Sequence, residues 1–198
     1  MDIPTFLAHL RTHGELCTVP NISDKTAQFL KDIIRISGVK NLLEIGTANG
    51  YSTINLAEAI RENNGHMITI DHSLPSYNQA VANIKMVGMD DVVTLVFANA
   101  IDYIPTMTGE VFDMLFIDGH KRRTIEFFRL AYPLLRDGWV VIIDDVIKFA
   151  HKMSNFYEFL QENNVDYSVL KIDEDDGVIM IVKTGKNKNI PLSTSGEG

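Results

Sequence analysis

Apolar runs of strand length alternate with helix-length segments through most of this 198-residue chain. Strand patterns occupy residues 41–45, 67–70, 92–97, 112–117 and 139–143, and helical patterns occupy residues 3–10, 23–36, 52–62, 76–86, 124–135 and 154–161. Strands that alternate with helices need crossover connections, which produce a parallel sheet with helices on both faces. The alternation therefore predicts an α/β protein with a doubly wound sheet.

The pattern changes near the end of the chain. Residues 167–172 and 178–182 are two β-rich runs, and an acidic turn of residues 173–177 separates them. A connection this short predicts a hairpin, so the last strand is expected to run antiparallel to its neighbours. Residues 1–37 are predicted to form helices that belong to the same domain as the core, residues 38–183. Residues 184–198, rich in Lys, Asn, Ser and Gly, are predicted to be a mobile tail.

Composition narrows the classes of partner. The net charge is −8, which argues against sequence-independent attraction to nucleic acid and favours small-molecule partners. The single cysteine, Cys17, excludes an internal disulfide and suits a reducing compartment. No stretch approaches the roughly 20 apolar residues that span a bilayer, and we expect a cytoplasmic protein without a membrane partner.

A glycine-bearing loop follows the first strand pattern. Gly46 and Gly50 let the backbone approach a ligand closely, and free amides at the start of the next helix suit a carboxylate or a phosphate. The dinucleotide fingerprint needs three glycines, and this loop has two, which weakens an NAD interpretation. Glu44 beside the loop would attract a cationic amino group. The alternative is a turn that only tightens the joint between strand and helix.

Asp71 ends the second strand pattern. A carboxylate at this position can accept both hydrogen bonds of a ribose diol, as in NAD and S-adenosylmethionine sites. Together with Glu44 and the glycines, Asp71 predicts a nucleoside-binding site. An aspartate that simply starts a turn, followed by His72 and Ser73 as turn residues, is the alternative.

Aspartates follow two further strand patterns. Asp118 comes after residues 112–117, and Asp144 and Asp145 come after residues 139–143. If both runs are parallel strands, three carboxylates meet at one sheet edge, where they repel each other unless a cation lies among them. Carboxylate oxygens without His or Cys companions favour Mg²⁺, Mn²⁺ or Ca²⁺ over zinc. The pattern predicts a metal site, and capping of the next segment by Asp144 and Asp145 is the alternative.

Three cations, Lys121, Arg122 and Arg123, open the next helical pattern and oppose its dipole. One interpretation is that they pair with the nearby carboxylates. The other is that Lys121 faces a bound cation and a substrate hydroxyl, where its pKa falls toward that of a useful base. His120 suits stacking on a flat ring and, equally, capping of the turn.

The order of these motifs resembles one known family. The motifs are VPNIS (19–23), EIGTANGYS (44–52), TID (69–71), DGHK (118–121) and DD (144–145). In this order they resemble the cation-dependent class I O-methyltransferases of the catechol and caffeoyl-coenzyme A type, which use S-adenosylmethionine. The resemblance runs from about Val19 to Val182. It implies the Rossmann-like methyltransferase sheet, mostly parallel with a C-terminal antiparallel hairpin strand.

The resemblance also implies roles for individual residues. It places the methionine part of S-adenosylmethionine against Glu44 and the loop from Gly46 to Gly50, with Ser52 on its carboxylate, and the ribose against Asp71. Further cofactor contacts are implied at Asn21, His72, Asn99, Ala100, Asp118 and His120. The resemblance also implies that the helices of residues 1–37 form a lid over cofactor and substrate.

For the reaction itself, Asp118, Asp144 and Asp145 match the metal ligands, with Mg²⁺ as the expected ion, and Lys121 matches the catalytic base. Two positions depart from the family. The third ligand is commonly Asn, where this chain has Asp145, and Ala100 stands where a polar residue usually contacts adenine.

The sequence leaves more than one methyl acceptor and more than one class of function open. The expected acceptor is a small hydroxylated molecule of the vicinal-diol or catechol type. A branch of the family that methylates hydroxylated uridine in transfer RNA is the first alternative, because residues 121–123 and 148–152 could form a basic rim. An NAD(P)-dependent oxidoreductase and a cofactor-binding protein without metal catalysis are the others. The resemblance also suggests a homodimer formed through the N-terminal helices.

Overall fold

The computed structural model describes residues 2–109, 111–185 and 190 of the chain. The chain divides into two compact units, Met1–Ala100 and Ile101–Gly198. Each unit contributes strands and covering helices, and each carries one part of the residues that the sequence singled out.

The first unit alternates helices and strands. Its elements are α1 (Ile3–Cys17), α2 (Asp24–Ser37), β1 (Asn41–Ile45), α3 (Tyr51–Glu62), β2 (His66–Asp71), α4 (Leu74–Met86) and β3 (Val93–Phe97). Side-chain caps start both N-terminal helices, since Asp2 accepts a hydrogen bond from the amide of Thr5 and Ser23 accepts one from the amide of Thr26. Gly38, the C-cap residue after α2, has the left-handed conformation, with φ +67°.

The strands of the first unit pair in parallel, β1 with β2 and β2 with β3. Ile45 lies opposite Ile70, so the loop after β1 and the end of β2 share one sheet edge. The helix α3 is buried on nearly every side. Ion pairs of 2.5 Å between Lys31 and Glu58 and of 2.7 Å between Arg35 and Glu62 join α2 to α3.

The second unit begins within the short helix α5 (Ala100–Tyr103). Its further elements are β4 (Phe112–Ile117), α6 (Thr124–Ala131), β5 (Leu135–Ile143), α7 (Ser154–Glu162), β6 (Ser168–Lys171) and β7 (Gly177–Val182). The strand β4 is buried along its whole length and runs parallel to β5. The last strand, β7, runs antiparallel to both β5 and β6. Aromatic rings of α6 and α7, among them Phe128 and Phe156 with centroids 5.4 Å apart, pack these helices together.

The strand order is β3-β2-β1 in the first unit and β4-β5-β7-β6 in the second. The predicted fold class, an α/β protein with a mostly parallel Rossmann-like sheet and an antiparallel C-terminal hairpin, is confirmed. In the described part of the chain, no helix is long and apolar enough to cross a membrane.

Some boundaries differ from the sequence prediction. The helix α1 continues to Cys17, seven residues past the predicted end at residue 10, and the four-residue helix α5 was not predicted. The helix α6 ends at Ala131 rather than residue 135 because Pro133, which has no backbone N–H, lies in the 3-10 turn that follows. The predicted tail falls partly at residues 186–189 and 191–198, which lie outside the described residues. The boundaries 1–37 and 38–183 stay a prediction.

Candidate functional site

The glycine loop after β1 is a tight turn held in unusual backbone conformations. Gly46 has φ +104° and Gly50 has φ +87°, values that favour glycine. Gly50 is the N-cap of α3, and a Cβ atom there would lie 3.5 Å from the Cα atom of Ala80 on α4. The amides of Gly46 and Gly50 donate to the carbonyl oxygens of Ile70 and Thr47, so these two loop amides are bonded within the protein. The prediction that amides at the start of α3 bind a ligand stays a prediction.

The side-chain carboxylate of Asp71 binds backbone amides of this loop. Its Oδ2 accepts hydrogen bonds from the amide of Thr47 at 3.1 Å and the amide of Ala48 at 2.9 Å. Its Oδ1 accepts one from the amide of Ser73 at 2.7 Å. A carboxylate that accepts three N–H groups is a strong local anchor. The sequence predicted Asp71 as a ribose ligand but did not predict its hydrogen bonds to the amides of the loop.

Glu44 is fully buried at the end of β1 and is surrounded by hydroxyl groups. Its carboxylate accepts hydrogen bonds from Ser52 at 2.7 Å, Thr53 at 2.5 Å and Thr69 at 2.7 Å. Thr69 lies opposite Glu44 in the register of β1 with β2, which explains how a residue 25 positions away reaches it. Sequence analysis missed Thr53 and Thr69, although their places beside Glu44 follow from the strand pairing and the start of α3.

Two asparagine side chains of the first unit have a buried amide nitrogen. The Nδ2 atoms of Asn21 and Asn49 have no hydrogen-bond partner among the residues that the structure describes. Asn21 packs against α1, where a Cβ atom on Gly14 would come within 2.4 Å of its Nδ2 atom. The Oδ1 atom of Asn49 accepts a hydrogen bond from the amide of Tyr51 at 3.1 Å. Unsatisfied buried amides are unusual and mark positions suited to a further partner.

The remaining predicted cofactor residues of the first unit follow β2 and β3. His72 is exposed directly after Asp71, Asn99 is half-buried and Ala100 is buried. The amide of Ala98 donates to the carbonyl oxygen of Asp71 at 3.0 Å, so the segment after β3 begins beside the end of β2.

In the second unit, the ends of β4 and β5 bring acidic side chains around a lysine. Ile117 lies opposite Ile143, and the amide of Asp144 donates to the carbonyl oxygen of Ile117 at 3.1 Å. The Nζ atom of Lys121 lies 2.6 Å from Asp118 Oδ1 and 2.9 Å from Asp145 Oδ2. It also donates to the carbonyl oxygen of Asp144 at 3.3 Å. We call Asp118, Lys121, Asp144 and Asp145 the acid–lysine cluster.

Burial and neighbouring charges shift the pKa values of Asp144 and Lys121 in the acid–lysine cluster. Burial raises the pKa of Asp144 well above its ordinary value, and the carboxylates of Asp118 and Asp145 raise it further. Burial by itself lowers the pKa of Lys121, but the charges of Asp118 and Asp145 outweigh it and raise that pKa above the ordinary lysine value. The sequence interpretation of a lowered pKa supposed a neighbouring cation, whereas carboxylates surround this ammonium group.

A family comparison decides what kind of protein carries these features. A model of the O-methyltransferase family matches residues 3–183. The chain belongs to the O-methyltransferase family. The family resemblance read from the motifs is therefore confirmed.

Relatives of this O-methyltransferase family member include two catechol O-methyltransferases. The protein from Niastella koreensis is 35% identical over 131 residues, which cover 65% of this chain and 59% of the relative. The protein from Mycobacterium tuberculosis is 32% identical over 149 residues, which cover 74% of this chain and 67% of the relative. The first match thus spans less than two thirds of that relative's length.

Solved structures of other O-methyltransferases share the fold along about nine tenths of the chain. An O-methyltransferase from Bacillus cereus in complex with SAH has a TM-score of 0.80 and 27% identity, covering 90% of this chain and 91% of that one. TomG from Streptomyces achromogenes, in complex with SAM, has a TM-score of 0.80 and 25% identity, covering 91% and 90%.

In this O-methyltransferase family member, two of the three cations at residues 121–123 of the predicted basic rim form ion pairs with acidic side chains. Lys121 is half-buried in the acid–lysine cluster, and Arg123 pairs with Glu126 at 2.7 Å. The three cations precede α6 as a 3-10 turn, and ion pairing of Lys121 and Arg123 offsets the charge that would oppose the helix dipole. His120 and Arg122 are exposed.

Proposed function

We propose that this chain transfers a methyl group from S-adenosylmethionine to a hydroxyl oxygen of a catechol-type small molecule, in a reaction that depends on a divalent cation. The observation that carries the proposal is the acid–lysine cluster, in which Lys121 contacts Asp118 and Asp145 at the ends of two parallel strands. The names of the two catechol O-methyltransferases and the SAM and SAH complexes of structural relatives support the donor and the acceptor.

Cofactor contacts are proposed chiefly in the first unit. The carboxylate of the methionine part is proposed to lie at the start of α3, beside the glycine loop and Ser52, and the ribose hydroxyls at Asp71. Each oxygen of Asp71 can accept more than one hydrogen bond, so its bonds to the loop leave capacity for a ribose. Further contacts are proposed at Asn21, Glu44, His72, Asn99, Ala100, Asp118 and His120.

The donor chemistry of the cluster fits a divalent cation. Asp118, Asp144 and Asp145 supply hard carboxylate oxygens, the ligand type that Mg²⁺ prefers. Burial raises the pKa of Asp144, and the carboxylates of Asp118 and Asp145 raise it further, a repulsion that a cation among the three would relieve. A bound cation would polarise the acceptor oxygen as a Lewis acid.

The arrangement of the cluster sets a condition on that cation. Within residues 2–109, 111–185 and 190, no group of three or more His, Cys, Asp or Glu side chains is arranged to hold a metal ion. The ammonium group of Lys121 lies between Asp118 and Asp145 instead. We infer that cation binding requires Lys121 to give up at least one of these two ion pairs.

Lys121 is proposed to move the acceptor proton. The amine accepts a proton only in its neutral form, and the carboxylates of Asp118 and Asp145 oppose that form by raising its pKa. Neutralising their charge lowers the pKa of Lys121 toward a useful range. Methyl transfer then depends on holding the acceptor oxygen and the methyl carbon at near-attack distance.

Metal removal tests the proposal directly. We expect the protein to transfer labelled methyl groups from S-adenosylmethionine to catechols with Mg²⁺ present, and EDTA to abolish the transfer reversibly. The acceptor panel includes unmodified and hydroxylated transfer RNA, because label on RNA would identify the alternative acceptor. Transfer to catechol that survives both EDTA and Asp118→Ala would refute metal dependence but leave the methyltransferase assignment intact. Thermal stabilisation by S-adenosylhomocysteine and not by NAD checks the cofactor separately.

A further inference from the structure

The orientation of Asp145 depends on the backbone that follows it. Asp145 has φ +60°, a left-handed conformation that aspartate tolerates better than most residues. Its Oδ2 atom lies 2.9 Å from Lys121 Nζ, and its carbonyl oxygen accepts a hydrogen bond from the amide of Phe149 at 3.3 Å. A change in the path of residues 146–149 would therefore move the carboxylate that contacts Lys121.

One carboxylate from the hairpin turn binds that following segment. Asp176 Oδ1 accepts hydrogen bonds from the amide of Ile147 at 3.1 Å and from the amide of Lys148 at 3.3 Å. The same oxygen accepts one from the amide of Gly177 at 2.8 Å, and the amide of Val146 donates to the carbonyl oxygen of Gly177 at 3.2 Å. Three consecutive amides after Asp145 are thus bound to two residues of the turn.

The position of the turn is set by the sheet. Because β7 pairs antiparallel with β5, with Ile179 opposite Ile143, the residues just before β7 lie beside the residues just after β5. A Cβ atom on Gly177 would lie 2.2 Å from the carbonyl oxygen of Leu170 on β6, so the hairpin approaches too closely for any other residue there. Asp176 therefore presents its carboxylate from a rigid support.

The second oxygen of Asp176 points to a role beyond stability. Its Oδ2 atom is buried and has no hydrogen-bond partner in the part of the chain that the structure describes. A buried carboxylate oxygen without a partner is costly, and departures of this kind are expected where function constrains a residue. The other oxygen of the same carboxylate fixes the position of the segment after Asp145.

We propose that Asp176 is a positioning residue, which sets the place of Asp145, and through it Lys121, by binding the backbone of residues 147 and 148. This inference rests on the proposed function of Lys121. It adds to that function a residue of the C-terminal hairpin turn, whose described hydrogen bonds go to the amides of residues 147, 148 and 177.

Three variants test the proposal by kinetics. Asp176→Ala removes the acceptor of three amides, Asp176→Asn keeps one acceptor oxygen, and Asp175→Ala is the matched control in the same turn. Asp175 is exposed and reaches Lys148 only at 4.0 Å. We expect Asp176→Ala to lower kcat about 10- to 100-fold, because small misplacements near reacting groups have effects of this size. In the same variant, we expect the KM for S-adenosylmethionine and the Kd for S-adenosylhomocysteine to stay unchanged. Asp176→Asn should recover most of the lost rate, and Asp175→Ala should match the wild type.

Nuclear magnetic resonance separates this inference from the proposed function. In Asp176→Ala, we expect faster exchange of the Ile147 and Lys148 amide hydrogens and a shifted Lys121 ammonium signal, neither of which Asp175→Ala produces. A protein that transfers no methyl group refutes the proposed function, while these signals still test the positioning role. The proposal is overturned by an unchanged Lys121 signal, by an unchanged kcat in an active protein, or by equal loss of kcat, cofactor affinity and melting temperature.

Discussion

Replacing Lys121 with methionine is expected to reduce methyl transfer by about 10²- to 10⁴-fold, the range that a positioned proton acceptor contributes. Methionine keeps much of the length of the side chain and removes the ammonium group that lies 2.6 Å from Asp118 and 2.9 Å from Asp145. The affinity for S-adenosylhomocysteine should change little, since the residues proposed to hold the cofactor are chiefly in the first unit. Initial rates with labelled cofactor, together with calorimetric titration of S-adenosylhomocysteine, measure the two effects.

The same variant should respond more strongly to divalent cations. Without the ammonium group, three carboxylates repel one another. Breaking a buried ion pair typically costs about 3–5 kcal/mol, and the partial exposure of Asp118 and Asp145 makes the cost here smaller. We therefore expect Lys121→Met to melt at a lower temperature than the wild type in EDTA. Mg²⁺ should raise its melting temperature more than it raises that of the wild type.

The exposed residue Lys171 on β6 provides a matched control for this variant. Lys171→Met removes the same charge from the same unit and should leave rate, melting temperature and Mg²⁺ response unchanged. A Lys121→Met variant that transfers methyl groups at the wild-type rate would exclude the proposed role of Lys121.

Replacing Asp71 with alanine is expected to weaken S-adenosylhomocysteine binding by about 100-fold or more. The change leaves the amides of Thr47, Ala48 and Ser73 without their acceptor and also removes the proposed ribose ligand. A hydrogen bond to a charged group contributes about 1.5–3 kcal/mol, and each 1.4 kcal/mol corresponds to a tenfold change in affinity. Calorimetric titration measures the loss, and circular dichroism checks that the variant is folded.

The exposed carboxylate of Asp90 lies in the same unit and serves as the control for Asp71. Asp90→Ala should bind S-adenosylhomocysteine as the wild type does. We expect Asp71→Asn to fall between the two, because the amide keeps one acceptor oxygen while its NH₂ group faces a backbone donor. Wild-type affinity in Asp71→Ala would show that Asp71 does not contribute to cofactor binding.

Local patterns were sufficient to predict most of the fold. The strand β4 was predicted with its observed bounds, because a continuous apolar run is typical of a strand buried on both faces. The hairpin of β6 and β7 followed from two β-rich runs and a short turn. The helix α6 was overextended, since the apolar pattern continues through residues 132–135, where Pro133 ends the helix in a 3-10 turn.

The sequence by itself determined which acidic residues end the strands, because strand ends are visible in the apolar pattern and parallel pairing brings them to one edge. Only the tertiary structure decided what those side chains contact. The hydroxyl partners of Glu44 lie 8 to 25 residues away, and the amides bound by Asp176 lie up to 29 residues away. Such contacts depend on strand register, helix placement and rotamers, which short-range patterns do not encode.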